Sequence, residues 1–206
     1  MMPRIKICGL RDVATAVQTA HEGADAIGLV FYPPSPRHVD IAQAAAIAAA
    51  LPAFVSSVGL FVDADPALVR EVIATTQLDV LQFHGDESPE YCRQFGRPYI
   101  KVARVKAGTN LVEYCARYPD ARGLLVDAYV DGVPGGTGEA FDWRMLPNDL
   151  PLPLILSGGL HPDNVADAVR QVRPWAVDVS SGVEASRGVK DPAKIRAFIR
   201  AVAAAN

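Results

Sequence analysis

Cysteine is scarce in this sequence: Cys8, Cys92 and Cys115 are the three in 206 residues. They stand far apart and are odd in number, which excludes a disulfide framework and a CxxC metal pattern. Histidine is scarce too, and His21, His38, His84 and His161 are scattered, so no metal site is expected. No apolar run approaches the roughly 18–20 residues that a membrane helix needs. The opening Met1-Met2-Pro3-Arg4-Ile5-Lys6 breaks any apolar stretch with charge, so no signal peptide is expected and the cytoplasm is the default location. Strong charge of either sign is missing as well. The formal net charge is −3 with basic and acidic residues interspersed, which argues against nucleic acid or an anionic membrane as the main partner. Neither GxGxxG nor a P-loop occurs, so no nucleotide cofactor is indicated, and no cofactor of another kind is suggested.

What the chain does have is an alternation sustained from end to end. Short runs rich in Val, Ile, Leu and Phe predict strands at Arg4–Cys8, Ala26–Phe31, Ser56–Val62, Val80–His84, Tyr99–Val105, Gly123–Asp127, Leu154–Ser157 and Ala176–Ser180. They are continuously apolar, as parallel strands covered on both faces are. Helices are predicted between them at Asp12–Glu22, Ile41–Leu51, Pro66–Thr75, Pro89–Phe95, Asn110–Tyr118, Asn164–Val172 and Pro192–Ala204, with Asp or Ser caps, first-turn prolines and terminal Gly or Pro. The connection Ala128–Pro153 is irregular and is expected to hold a Gly-rich loop with at most a short helical turn near Trp143–Leu146. Eight such units without a linker predict one domain over residues 1–206, an α/β protein folded as a (β/α)8 TIM barrel; a doubly wound sheet, which usually has fewer strands, ranks second.

In such barrels chemistry sits where strands end and βα loops begin. Cys8 ends the first strand, beside Gly9, and is read either as a small packing thiol or as an acid–base group. Cys92 and Cys115 lie inside helices and read as structural. Asp127 follows Leu124-Leu125-Val126, where partial desolvation favours the proton-donating form of a carboxyl; a loop-capping Asp is the alternative. Glycine-rich segments follow three strands: Gly135-Gly136-Thr137-Gly138, Ser157-Gly158-Gly159-Leu160 and Ser181-Gly182-Val183-Glu184. Together they point to a phosphate cradle, because backbone N–H groups can converge on an anion without side-chain interference. Arg37 stands on the proline-stiffened loop after the second strand and is read as a two-pronged carboxylate grip or as a solvated loop residue. Gln82 and His84 share strand parity and are inward candidates, His84 as a second acid–base group or a rim histidine. Arg104 and Asp178 are lesser inward candidates whose simplest roles are mutual charge compensation or orienting neighbours.

Taken in order, Lys6-Ile7-Cys8-Gly9, Phe31 through Ser35-Pro36-Arg37, Gln82-Phe83-His84-Gly85, Asp127 with Gly135-Gly136-Thr137-Gly138 and Phe141-Asp142-Trp143, Ser157-Gly158-Gly159-Leu160 and Ser181-Gly182-Val183-Glu184 resemble the phosphoribosylanthranilate isomerases over the whole chain. The resemblance implies an Amadori rearrangement of N-(5-phosphoribosyl)anthranilate to 1-(2-carboxyphenylamino)-1-deoxyribulose 5-phosphate. It implies Asp127 as general acid on the ring oxygen, Cys8 as general base at C2, Arg37 toward the anthranilate carboxylate, and the glycine loops, including Gly136, Gly138, Gly158, Gly159, Ser181 and Gly182, toward the phosphate. For Cys8 to act as thiolate its pKa is expected to be lowered, with Lys6 or loop amides as the source. The related histidine-pathway sugar isomerase is disfavoured because its members carry a carboxylate where Cys8 stands. Metal-dependent epimerases and indole-forming barrels lack support, since the strand histidines of the former and the lysine acid and N-terminal extension of the latter are missing. A catalytically dead phosphate-binding barrel is the alternative outside enzymes; retention of both Cys8 and Asp127 disfavours it. A small phosphorylated substrate is the expected partner, and the oligomeric state is left as monomer or homodimer.

Overall fold

The computed structural model describes residues 2–106, 108–128, 143–147 and 149–205. Strands β1 (Arg4–Cys8), β2 (Ala26–Val30), β3 (Ser56–Phe61), β4 (Val80–Phe83), β5 (Tyr99–Val105), β6 (Leu124–Ala128), β7 (Leu154–Leu156) and β8 (Ala176–Val179) each pair in parallel with the next, and β8 pairs with β1 to close a barrel. Helices α1 (Val13–His21), α2 (Ile41–Ala50), α3 (Pro66–Thr76), α4 (Pro89–Arg93), α5 (Leu111–Arg117), α6 (Val165–Val172) and α7 (Pro192–Ala203) lie between the strands in sequence and after the last. The TIM barrel expected from the alternation is thus the fold.

Local chemistry explains the element boundaries. Asp12 accepts from Thr15 N at 2.8 Å, and Asp40 and Gln43 form a reciprocal capping box. Asp65, Ser88 and Asp191 cap helices whose first turn carries proline, where a missing N–H costs nothing. Asn164 departs from this pattern. It makes no cap bond; its side chain instead accepts from His161 N and donates to Gly159 O, tying down the loop after β7. A 3-10 turn at Trp143–Met145 stands where a short turn was expected. The hairpin β9 (Glu184–Ser186) and β10 (Val189–Lys190), entered through a 3-10 turn at Ser181–Val183, was not anticipated, because both strands are too short to show a period.

Alternation along the strands sorts the core. Leu81, Phe83, Lys101, Ala103, Leu124, Val126 and Val177 face outward against the helices, and most join the main apolar cluster. Their neighbours in sequence face inward. The inward set divides along the barrel axis: Ile100, Val102, Leu125, Ile155 and Ala176 form an apolar floor, while Cys8, Gln82, Asp127, Ser157 and Asp178 stand nearer the strand C-termini. No described helix is long and apolar enough to cross a membrane.

One outward-facing residue is a lysine. Lys101 is fully buried; its Nζ donates to Glu87 Oε2 at 3.0 Å, Gly85 O at 2.7 Å and Phe83 O at 3.3 Å. Glu87 also accepts from the backbone N–H groups of Asp63 and Gly85. This knot holds the β3 and β4 loops in place around His84. Removing one member of a buried pair strands the other charge. Glu87→Ala is therefore expected to lower the unfolding free energy by about 3–5 kcal/mol in urea titrations; a loss below about 1 kcal/mol would show that the pair contributes no more than a solvated one.

Candidate active site

A cavity of about 690 Å³ opens at the C-terminal ends of the strands. Cys8, Arg37, Gln82, His84, Asp127, Gly158, Gly159 and Ser181 all line it. Gly182 does not; it packs behind Ser181 against the carbonyl of Leu160. A Cβ there would collide with that carbonyl oxygen, so only glycine lets the loops after β7 and β8 lie this close. Gly158 and Gly159 both have positive φ, 83° and 66°. Gly136 and Gly138 lie outside the described residues.

Cys8 ends β1 and is 4 % exposed. Beneath it, Lys6 Nζ meets Asp178 Oδ1 at 2.8 Å, a pair whose side chains are 7 % and 6 % exposed. Lys6 was expected to be a possible source of a lowered thiol pKa. Instead, burial pushes the Cys8 thiol above its ordinary value; Lys6 pulls it down, Asp178 pushes it up and Lys190 pulls it down, without reversing the effect. Burial works against the Lys6 ammonium, yet Asp178 and Cys8 hold its pKa above the usual value. Mutual compensation of Arg104 and Asp178 is also corrected. Asp178 takes Lys6 and, at 3.4 Å, the Ser157 hydroxyl, while Arg104 donates to His84 O at 3.2 Å. Register is the reason: Lys6 is directly opposite Asp178 on paired strands, whereas β5 and β8 are three strands apart.

Asp127 ends the inward series of β6 and is buried. His84 Nε2 lies 3.4 Å from its Oδ2, and Gln82 Nε2 lies 3.3 Å from His84 Nδ1, so β4 delivers a polar chain to the carboxyl. Arg37 is not a solvated loop residue. It is buried, with Nε 2.7 Å from Glu184 Oε1 and one terminal nitrogen 3.0 Å from Oε2. Glu184 and its hairpin are the part of the wall that sequence reading missed. The signal was an acidic residue inside a glycine motif, but nothing local names a partner 147 residues away. Among the described residues, no group of three or more His, Cys, Asp or Glu side chains could hold a metal ion.

A closed parallel barrel carrying a buried thiol, a buried carboxyl and converging glycine loops at its C-terminal mouth defines a (β/α)8-barrel enzyme that handles a small anionic substrate. The comparisons sharpen this. The family model described as N-(5'phosphoribosyl)anthranilate (PRA) isomerase matches residues 5–201. N-(5'-phosphoribosyl)anthranilate isomerases of Pseudomonas fluorescens (strain Pf0-1) and Nitrosospira multiformis are 59 % and 54 % identical, over 97 % and 98 % of this chain and 98 % and 97 % of the relatives. The crystal structure of phosphoribosyl anthranilate isomerase from Thermotoga maritima superposes with a TM-score of 0.90 at 39 % identity, covering 98 % of this chain and 100 % of that one. A phosphoribosyl anthranilate isomerase in complex with reduced 1-(o-carboxyphenylamino)-1-deoxyribulose 5-phosphate superposes with a TM-score of 0.87 at 39 % identity and the same coverage. The chain belongs to the phosphoribosylanthranilate isomerase family. It is an isomerase of tryptophan biosynthesis.

The direction of the Cys8 shift has a measurable consequence. Only a thiolate is alkylated, and a raised pKa leaves less of it at any pH below the midpoint. Alkylation of Cys8 by iodoacetamide in the unliganded protein, followed by peptide mass spectrometry, is expected to be half-maximal above the ordinary thiol value of about 8.5. Lys6→Met, which deletes the nearest cation, moves the midpoint further up. A wild-type midpoint at or under about 8 would show that the cations outweigh burial.

Proposed function

We propose that Asp127 and Cys8 are the acid and the base of the isomerisation of N-(5'-phosphoribosyl)anthranilate. The observation that carries this reading is that the two side chains, from β6 and β1, line one cavity with the glycine loops. Asp127 gives its proton to the furanose ring oxygen as the C1–O bond breaks, and the anilino nitrogen lone pair forms the C1=N bond of a cationic Schiff base. Cys8 then removes the proton from C2, the electron pair neutralises the nitrogen, and the enolamine tautomerises to the 2-keto product. The redox change is internal to the sugar, so no cofactor is required.

The order of steps suits a thiol whose pKa is raised by burial. Ring opening creates a positive charge beside Cys8, and a nearby cation favours thiolate. The base is thereby favoured after the acid has acted. On this reading Arg37 meets the anthranilate carboxylate, and Gln82 and His84 serve the acid side of the substrate. The phosphate is held by Gly158, Gly159 and Ser181 with Gly136 and Gly138, Gly182 serving from behind by letting the loops after β7 and β8 lie close. Residues 1–206 are read as one catalytic domain working in the cytoplasm. The working unit is read as a monomer or a homodimer; a Thermotoga maritima relative is described as dimeric.

Loss of the fluorescence of freshly formed phosphoribosylanthranilate measures turnover directly. Cys8→Ser and Asp127→Asn are each expected to lower kcat by about 10²–10⁴-fold, the range for removal of a positioned acid or base, while binding of a phosphosugar persists. Normal turnover by both variants would overturn the assignment.

A further inference from the structure

A second concentration of buried charge, centred on Glu184, lies in the cavity wall. Glu184 is 8 % exposed and receives four donors: Arg37 Nε at 2.7 Å, an Arg37 terminal nitrogen at 3.0 Å, Lys190 Nζ at 3.0 Å and Gly188 N at 3.1 Å. Lys194 Nζ donates to its backbone carbonyl at 2.7 Å. Lys190 also donates to Ser180 O and lies 3.2 Å from Ser180 Oγ, and that hydroxyl lies 3.0 Å from the carbonyl of Cys8. One carboxylate therefore gathers the β2 loop, the hairpin and, through Lys190 and Ser180, the end of β1.

The hairpin is shaped to deliver this carboxylate. Gly188, with φ 81°, bends back to donate to Glu184 and approaches the Pro36 carbonyl so closely that a Cβ would lie 2.6 Å from its oxygen. Ser35 Oγ accepts from Arg37 N at 3.2 Å, so the arginine is held at backbone and head. The Nε–Nη2 edge of its fork is engaged by Glu184, and its other terminal nitrogen makes no hydrogen bond within the described residues. Arg37 nevertheless lines the cavity. A planar guanidinium held along one edge presents the other in a set direction at little further entropic cost.

We propose that Glu184 is the positioning residue that orients Arg37, presenting its free edge to the carboxylate of the substrate. The proposal rests on the reading of Arg37 as the carboxylate-binding residue. Charge in the cluster is consistent with it: burial works against the Glu184 carboxylate, but Arg37 and Lys190 hold its pKa below the ordinary value. A purely structural clamp would serve every ligand equally, whereas an orienting carboxylate serves only ligands that Arg37 touches.

The test separates these roles. Glu184→Gln keeps the shape and removes the charge. It is expected to raise KM for phosphoribosylanthranilate about tenfold with kcat changed less than about threefold, while the Kd of ribose 5-phosphate, which lacks the carboxylate, stays within about twofold. Glu184→Asp, which restores the charge at shorter reach, gives an intermediate KM and serves where the amide variant does not fold. Arg37→Met raises KM at least as much, and adding Glu184→Gln to it raises KM no further. Equal weakening of substrate and ribose 5-phosphate, a fall in kcat at constant KM, or unchanged constants in Glu184→Gln would overturn the positioning role. If Arg37→Met leaves KM unchanged, the reading of Arg37 itself fails, and the positioning role falls with it.

Discussion

Lys6 and Asp178 meet at 2.8 Å across the seam where β8 closes on β1, both nearly excluded from water. Taking two charges out of water costs several kcal/mol per ion, and only close geometry with further hydrogen bonds offsets it. That geometry exists because closure sets Lys6 opposite Asp178, with the Ser157 hydroxyl within 3.4 Å of the second carboxylate oxygen. The same seam sets Cys8 one inward position above Lys6 and brings Ser180, at the end of β8, to the Cys8 carbonyl. Barrel closure, the cation beneath the thiol and the placement of the loop after β8 are thus one constraint seen at three heights of the barrel.

The seam also sets the electrostatic surroundings of Cys8. A thiol in an apolar setting is neutral because ionisation there is unsolvated. Lys6 offsets part of that penalty, but much of its own charge is answered by Asp178. Burial therefore sets the direction of the Cys8 shift, and the neighbouring cations reduce it without reversing it. On the opposite side, Gln82 and His84 carry a polar chain to Asp127, so Cys8 and Asp127 differ in environment: one backed by an ion pair, the other by neighbours on and just after β4.

Much of the architecture was legible without coordinates. Asp, Ser and Pro at helix starts announce themselves locally, and seven of the eight strands begin at the residue their apolar runs mark. The gathering of Cys8, Asp127, His84, Gly158 and Ser181 into one cavity followed from barrel logic alone, since each stands at a strand end or just beyond it. The hairpin after β8 escaped because strands of three and two residues have no period to read. The partner of Arg37 escaped because a glutamate inside a glycine-rich motif looks like a loop residue until the hairpin turns it inward.

By itself, the sequence determined where chain segments become strands and helices, which face of each is apolar, and which polar residues stand at strand ends; these depend on neighbours within a few positions. The tertiary structure alone decided the pairings of charge: Lys6 with Asp178 across 172 residues, Arg37 with Glu184 across 147, and Lys101 with Glu87 beneath the β4 loop. It also decided the direction of the Cys8 shift. Electrostatic partnership falls with distance in space, and distances between such remote residues come into being only when the barrel closes.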